Sequence, residues 1–316
     1  MTTHLEPEHR EFVTDPLDVI SQDTGDSPYQ VFSDWIDLAL ASFTGDEDAY
    51  QEPLTRYAND GRDEDAVREI ATRHANALGG LVLAMEQTGE DILGGVYEYY
   101  GLTSSHFAQY FTPGAVSRAM AAMNLPGGDD LRDSTPEDPL VIGDISGCGS
   151  GRLIIDSAKH LREIAPETPA VFLGYDKDPI CAKMTVLNFV LNDLTGYVLL
   201  GDALKLEAHR GWFVSGVQLA RGNHPVTALD ADGRDRVLAR FFCVPPDDDA
   251  SATSEDDDES TVDGSDSDDG NKAENEERDG EHVTEPPTAH PTGVESALDV
   301  TLDSENTAQV GFDEFA

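Results

Sequence analysis

Apolar residues recur at helical spacing in the first third of the chain and collect into short strand-length runs in the second. From about Tyr29 to Phe43, the residues Val31, Trp35, Ile36, Leu38, Leu40 and Phe43 mark one face of a predicted helix. A second face runs through residues 64–87, on Val67, Ile70, Ala71, His74, Leu78, Leu81 and Met85, with Gly79-Gly80 as its weak point. A short third helix is predicted over Asp91-Ile92-Leu93-Gly94-Gly95-Val96-Tyr97-Glu98-Tyr99. These helices read as a packing cap, and His74, on an apolar face, as a structural histidine. Residues 1–27 are polar and are expected to be loose.

From Leu140 the rhythm changes. Residues 139–143 read as a buried strand, Arg152 to Ile164 as a helix, and Val171-Phe172-Leu173-Gly174-Tyr175 as a second strand. Ile180 to Asn192 reads as a helix and Tyr197-Val198-Leu199-Leu200 as a third strand. Trp212–Leu219 and Val237–Val244 are two further strand candidates. This alternation predicts an α/β fold with a parallel sheet covered by helices. Beyond Pro245-Pro246 the chain turns to Asp, Glu, Ser, Thr and Gly, too polar to bury a core, so a disordered acidic tail is expected. Three segments follow: a helical one over 1–87, the α/β domain over 88–246 and the tail over 247–316. The tail ends on apolar residues, Val310 to Phe315, which read as a frayed end or a docking peptide.

Charge sharpens this picture. The 316 residues carry 63 acidic and 20 basic side chains, a formal net charge of -43. Such a chain repels nucleic acid in dilute buffer, because phosphates need Lys or Arg partners. Acidity runs through the folded region as well as the tail, and lysine is confined to Lys159, Lys177, Lys183, Lys205 and Lys272. That pattern fits a salt-loving cytoplasm, in which molar salt screens self-repulsion within a few ångströms. Cys148, Cys181 and Cys243 show neither pairing nor metal spacing and read as reduced thiols. The first residues have no basic start and no apolar run, which argues against a signal peptide. No stretch reaches the roughly 18 apolar residues a membrane span needs.

The candidate chemistry lies in Asp144-Ile145-Ser146-Gly147-Cys148-Gly149-Ser150-Gly151, between a predicted strand and a predicted helix. Glycines let the backbone turn tightly and approach a ligand, and the helix start offers free amides to a negative group. The dinucleotide spacing G-x-G-x-x-G is not matched. Gly147, Gly149 and Gly151 give G-x-G-x-G, which suits S-adenosylmethionine (SAM) with its methionine end along the loop. Asp176 closes the second strand, where a carboxylate can accept from ribose hydroxyls. Asp202, followed by Ala203, closes the third, placed for an adenine amino group. Each aspartate alone reads as a turn or cap residue; three in order with a glycine loop point to a nucleoside pocket.

Asp91-Ile92-Leu93-Gly94-Gly95-Val96-Tyr97-Glu98, then Ala108-Gln109-Tyr110-Phe111-Thr112-Pro113, then the glycine loop, resemble the N-6 adenine DNA methylase family. Its members include the modification subunits of type I restriction systems and small relatives on mobile elements. Asn188, in Met184-Thr185-Val186-Leu187-Asn188, matches the family's second helix, and the resemblance spans about residues 88–206. It implies a Rossmann-like SAM-dependent methyltransferase sheet, with Phe111, Thr112 and Pro113 against the methionine end of SAM. Asp144, Ser146, Gly147, Gly149, Ser150, Gly151, Asp176, Asp202 and Ala203 would complete the cofactor site. It also implies adenine in DNA as substrate, read with the help of a partner chain, since no basic aromatic-rich stripe offers a groove.

The chain departs from the family in four ways. The family's D-P-x-x-G-S-G loop here has Asp144 one residue further from Gly149, and Ile145 in place of proline. The family's N-P-P-F or N-P-P-Y motif, in which Asn holds the target amino group and the aromatic stacks on a flipped base, has no clean copy. Gly222-Asn223-His224-Pro225-Val226 keeps the Asn and one Pro, making Asn223 the candidate catalytic residue; Val244-Pro245-Pro246-Asp247 keeps only prolines. About five strands can be placed where a full methyltransferase sheet has seven, and no target-recognition domain is evident. Three readings stay open: an active adenine N-6 methyltransferase, a degenerate SAM-binding subunit, and a methyltransferase for RNA or protein.

Overall fold

The computed structural model describes residues 5–102, 111–125, 127, 131 and 134–242. Contacts divide the chain into a compact unit Met1–Pro246 and a second unit Asp247–Ala316. The second unit, with the acidic tail and its apolar end, lies outside the described residues, as do Gln109, Tyr110, Cys243 and the Val244–Asp247 stretch.

Five helices open the chain: α1 (Pro7–Thr24), α2 (Pro28–Thr44), α3 (Glu47–Asn59), α4 (Glu64–Thr88) and α5 (Ile92–Tyr99). Side chains of Ser27, Asp46, Asp63 and Asp91 accept backbone N–H groups in the first turns of α2 to α5, satisfying donors that a helix start leaves free. The α1 helix overturns the expectation that residues 1–27 are loose. Pro16 lies inside it and removes a helical N–H, at a cost of about 3 kcal/mol. Val13, Leu17 and Ile20 are nevertheless fully buried. At about 2 kcal/mol each, their burial outweighs the proline. The Gly79-Gly80 pair has a packing reason here. A Cβ on Gly80 would fall 2.1 Å from the Phe12 carbonyl oxygen, so only glycine lets α1 lie this close to α4. That carbonyl is the one whose helical donor Pro16 removes.

Next come α6 (Gly114–Asn124), β1 (Leu140–Asp144), α7 (Arg152–Ile164), β2 (Ala170–Asp176), α8 (Pro179–Leu191) and β3 (Thr195–Asp202). The described residues end with β4 (Glu207–Ser215), α9 (Gly216–Ala220), β5 (Val226–Ala228) and α10 (Ala231–Phe242). The strands form one sheet in the order β1-β2-β3-β4-β5. β1, β2 and β3 run parallel, while β4 is antiparallel to both β3 and β5. The sheet is therefore mixed, not wholly parallel as the alternation predicted, because β3 turns back directly into β4 through Ala203–Leu206 without a crossover helix. The Trp212–Leu219 candidate is strand only to Ser215. Val237–Val244 proves helical as far as it is described, since α10 runs to Phe242 with Val237 and Leu238 turned inward. The fifth strand is instead the short Val226–Ala228.

Alternate side chains of the strands feed two cores. Phe172, Val198 and Leu200 join α7, α8 and the helices α1–α5 in one continuous cluster, so the helical segment and the sheet share a core. Leu173, Tyr175 and Leu199 point to the other face and pack on Val237 and Leu238 of α10. Among the described residues, no helix is long and apolar enough to cross a membrane.

Candidate functional site

The three parallel strands end in aspartates at the same edge of the sheet: Asp144 on β1, Asp176 on β2 and Asp202 on β3. This is the crevice side of an open α/β sheet, where strand ends leave backbone groups free for a ligand. After Asp144 the chain enters the glycine loop, in which Gly147, Gly149 and Gly151 all take positive φ. Only glycine holds such angles at little cost. The loop is stitched to the end of β2. Cys148 N–H donates to the Tyr175 carbonyl at 3.1 Å and Gly149 N–H to Asp176 Oδ2 at 2.8 Å. Gly151 then opens α7.

Each predicted residue has a definite place. Asp144 Oδ1 accepts from the Ser146 backbone N–H at 3.4 Å and from its hydroxyl at 3.3 Å. Burial raises the Asp144 pKa, opposed by those two hydrogen bonds. Asp176 is only 8% exposed. Its Oδ1 accepts from Asp178 N–H and its Oδ2 from Gly149 N–H, each at 2.8 Å. Its pKa is also raised, by burial against the pull of the backbone amides. A third backbone amide, that of Lys177, also hydrogen-bonds to this carboxylate. Asp202 accepts from Leu204 N–H at 3.1 Å and so caps the turn into β4, with Ala203 packed beside the α10 core. Ser150 is buried, its hydroxyl donating to Asp91.

Phe111 lies over the glycine loop. A Cβ on Gly149 would fall 2.8 Å from Phe111 Cε1. The ring also stacks on Tyr97 of α5, with centroids 5.5 Å apart and planes 25° apart. The Thr112 carbonyl accepts from Arg152 Nη1 at 3.0 Å, and Pro113 begins α6. The structure thus brings Phe111, Thr112 and Pro113 to the loop although they lie more than thirty residues before it.

Asn223 is not brought there. It follows α9, and its side chain donates to Gln218 Oε1 at 2.8 Å. The Ser215 N–H just before α9 donates to the Pro225 carbonyl just after Asn223, which ties this turn to the end of β4. Ser215 pairs with Thr195, the first residue of β3, whereas Asp202 is its last. Asn223 therefore sits at the amino ends of the parallel strands, roughly 20 Å from the three aspartates at the rise of a strand. Expecting it at the pocket mouth overlooked the reversal of β4, which carries the chain back across the sheet.

Asp91, Gly94 and Tyr97, which stand in a stretch that carries the family resemblance, and Arg152 belong to this neighbourhood although sequence assigned them no site role. The signal of the first three was the spacing 91, 94, 97, which puts them on one helical face.

The open side of the loop is the side a ligand would use. Among the described residues, the only atom within 4 Å of a Cβ on Gly147 would be Asp176 Oδ2, at 3.9 Å. Bare backbone beside two partly desolvated carboxylates suits a molecule bearing both amines and hydroxyls, so the residues present fit SAM.

Residues 88–218 match the family model described as N-6 DNA Methylase. No curated protein matches the chain. Among solved structures, the chain is similar to the type I restriction-modification system methyltransferase subunit from Streptococcus thermophilus, at 17% identity. That alignment covers 62% of this chain and 44% of the subunit, with a TM-score of 0.28, so the chain spans less than half of the subunit's length. A superposition that loose leaves the family match as the ground for assignment. Residues 88–218 are therefore similar to the N-6 DNA methylase family, and the likeness rests on that family match.

Proposed function

We propose that the chain binds SAM at the carboxyl ends of β1, β2 and β3 and acts as a DNA methyltransferase on the N-6 amino group of adenine. The observation that carries this reading is the glycine loop, stitched to Asp176 on one side and bare at Gly147 on the other. Backbone of Gly147–Gly151 and the Phe111–Pro113 segment would hold the methionine end, the Asp176 carboxylate the ribose hydroxyls, and Asp202 with Ala203 the adenine. Asp144 and Asp176 add negative charge suited to an ammonium and a sulfonium. SAM, when bound, supplies an electrophilic methyl group. The chain's part is to orient the cofactor and exclude water around it, which serves an in-line displacement through positioning. DNA would be engaged with a partner such as a specificity subunit, whose cations would offset a net charge of -43. A cytoplasmic restriction-modification or mobile-element system fits this reading.

The position of Asn223 favours a second reading, in which the chain keeps the cofactor pocket but serves as a regulatory or structural subunit. Calorimetry with SAM in molar KCl, on wild type and Asp176→Ala, tests the pocket. Saturable binding lost in a folded variant is expected; no binding by folded wild type overturns both readings. Transfer of labelled methyl groups from SAM to adenine in DNA supports the enzyme, and binding without transfer supports the subunit.

A further inference from the structure

Four hydrogen-bond donors converge on Asp91, whose side chain is 1% exposed. Gly94 N–H donates to it at 3.0 Å, Asn188 Nδ2 at 2.9 Å and Arg152 Nε at 3.1 Å, and the Ser150 hydroxyl completes the set. These donors come from three places: the first turn of α5, the end of the glycine loop with the start of α7, and the last turn of α8. The second hydrogen of the Asn188 amide reaches the Ser150 carbonyl, at 2.7 Å. Arg152 turns its Nη1 the other way, to the Thr112 carbonyl. A single chain of contacts therefore runs from Thr112 through Arg152 and Asp91 to Ser150, joining the segment above the pocket to the loop below it.

Helix α5 approaches this point as closely as backbone allows. A Cβ on Gly94 would fall 2.3 Å from Asp91 Oδ2 and 2.6 Å from Ser150 Oγ. One turn further along the same face, Tyr97 supports the ring of Phe111. A buried ion pair adds little stability over an apolar core of equal volume, but its directional bonds select one arrangement of the parts around it.

We propose that Asp91 is the positioning residue of the cofactor pocket, setting the separation between Phe111–Pro113 and the glycine loop through one buried carboxylate. The inference rests on the cofactor reading above, and its test has an arm that needs no cofactor. Asp91→Asn keeps the size of the side chain but turns an acceptor into a donor facing Ser150 and Arg152. Gly94→Ala disturbs the same point from the other side. Amide hydrogen exchange by mass spectrometry on wild type and both variants is read over residues 111–118 and 144–152, with α1–α4 as internal reference.

Exchange over the two pocket segments is expected to rise about tenfold, the scale of losing one buried charge-assisted bond, while α1–α4 keep their protection. SAM affinity, by calorimetry, is expected to fall by about the same factor. Unchanged exchange in both variants overturns the proposal. Loss of protection throughout, or failure to fold, overturns it too, by showing a merely structural role. If wild type binds no SAM, the cofactor reading fails while the exchange result still decides the role of Asp91.

Discussion

The ring of Phe111 lies against the backbone of Gly149, which leaves no room for a methyl group between them. Gly149 also sits at φ +60°, and its N–H is held by Asp176. Three demands meet at one residue: close approach, left-handed backbone and a fixed donor.

Gly149→Ala should therefore destabilise the protein by about 1–2 kcal/mol, combining a Cβ at positive φ with a clash against an aromatic ring. Urea unfolding in molar KCl measures this. A midpoint equal to wild type would mean that the Phe111 ring moves aside freely.

Asn223→Ala should leave SAM affinity within about twofold of wild type, because an exposed turn residue at the far end of the strands touches nothing in the pocket. Calorimetry on the folded variant checks it. A tenfold loss would require a contact that the β4 register does not permit.

Arg56 spans two carboxylates, holding Asp26 bidentately and Asp34 through Nη2, while Tyr57 also donates to Asp34 at 2.8 Å. Asp34 is buried on α2. Arg56→Ala would leave that carboxylate without its charged partner, held by the neutral donors Tyr57 and Gln30. A cost of about 3 kcal/mol is expected, at the low end for breaking a buried pair because Arg56 is partly exposed. Denaturant unfolding of Arg56→Ala and Arg56→Lys should rank them alanine below lysine below wild type.

His74 is buried beside Tyr57, and burial, with the charge of Arg56 adding to it, pushes its pKa down to about 4. The unfolded chain takes up this proton near pH 6.5 and the folded chain only near pH 4. The stabilisation from keeping His74 neutral is thus complete above about pH 6.5 and is lost as pH falls towards 4, at roughly 1.4 kcal/mol per pH unit. Stability measured from pH 6.5 to 5 should fall less steeply in His74→Gln than in wild type. Equal slopes would remove His74 from the acid response.

What pattern could read was whatever depends on neighbours in sequence. The apolar face of α2 and the runs in β1 to β3 follow from periods of 3.6 and 2. The glycine loop is legible because its turn needs residues without Cβ. Asp176 could be placed at a strand end because the strand before it is continuous. The α1 helix was not legible, since Val13, Leu17 and Ile20 stand among polar residues and beside Pro16. Only the surface of α4, opened by Gly80, makes that face worth burying. The reversal of β4 was not legible either: an apolar run does not encode its direction, which the tight turn and the partner strand decide. That reversal carries Asn223 away from the pocket. Asp91 shows the same division, since its sequence marks only the start of a short helix, and the fold alone brings Ser150, Arg152 and Asn188 around it. Local periodicity and backbone geometry determined the elements and the loop; tertiary packing decided which distant side chains meet, because burial and hydrogen-bond pairing depend on contacts that sequence separation hides.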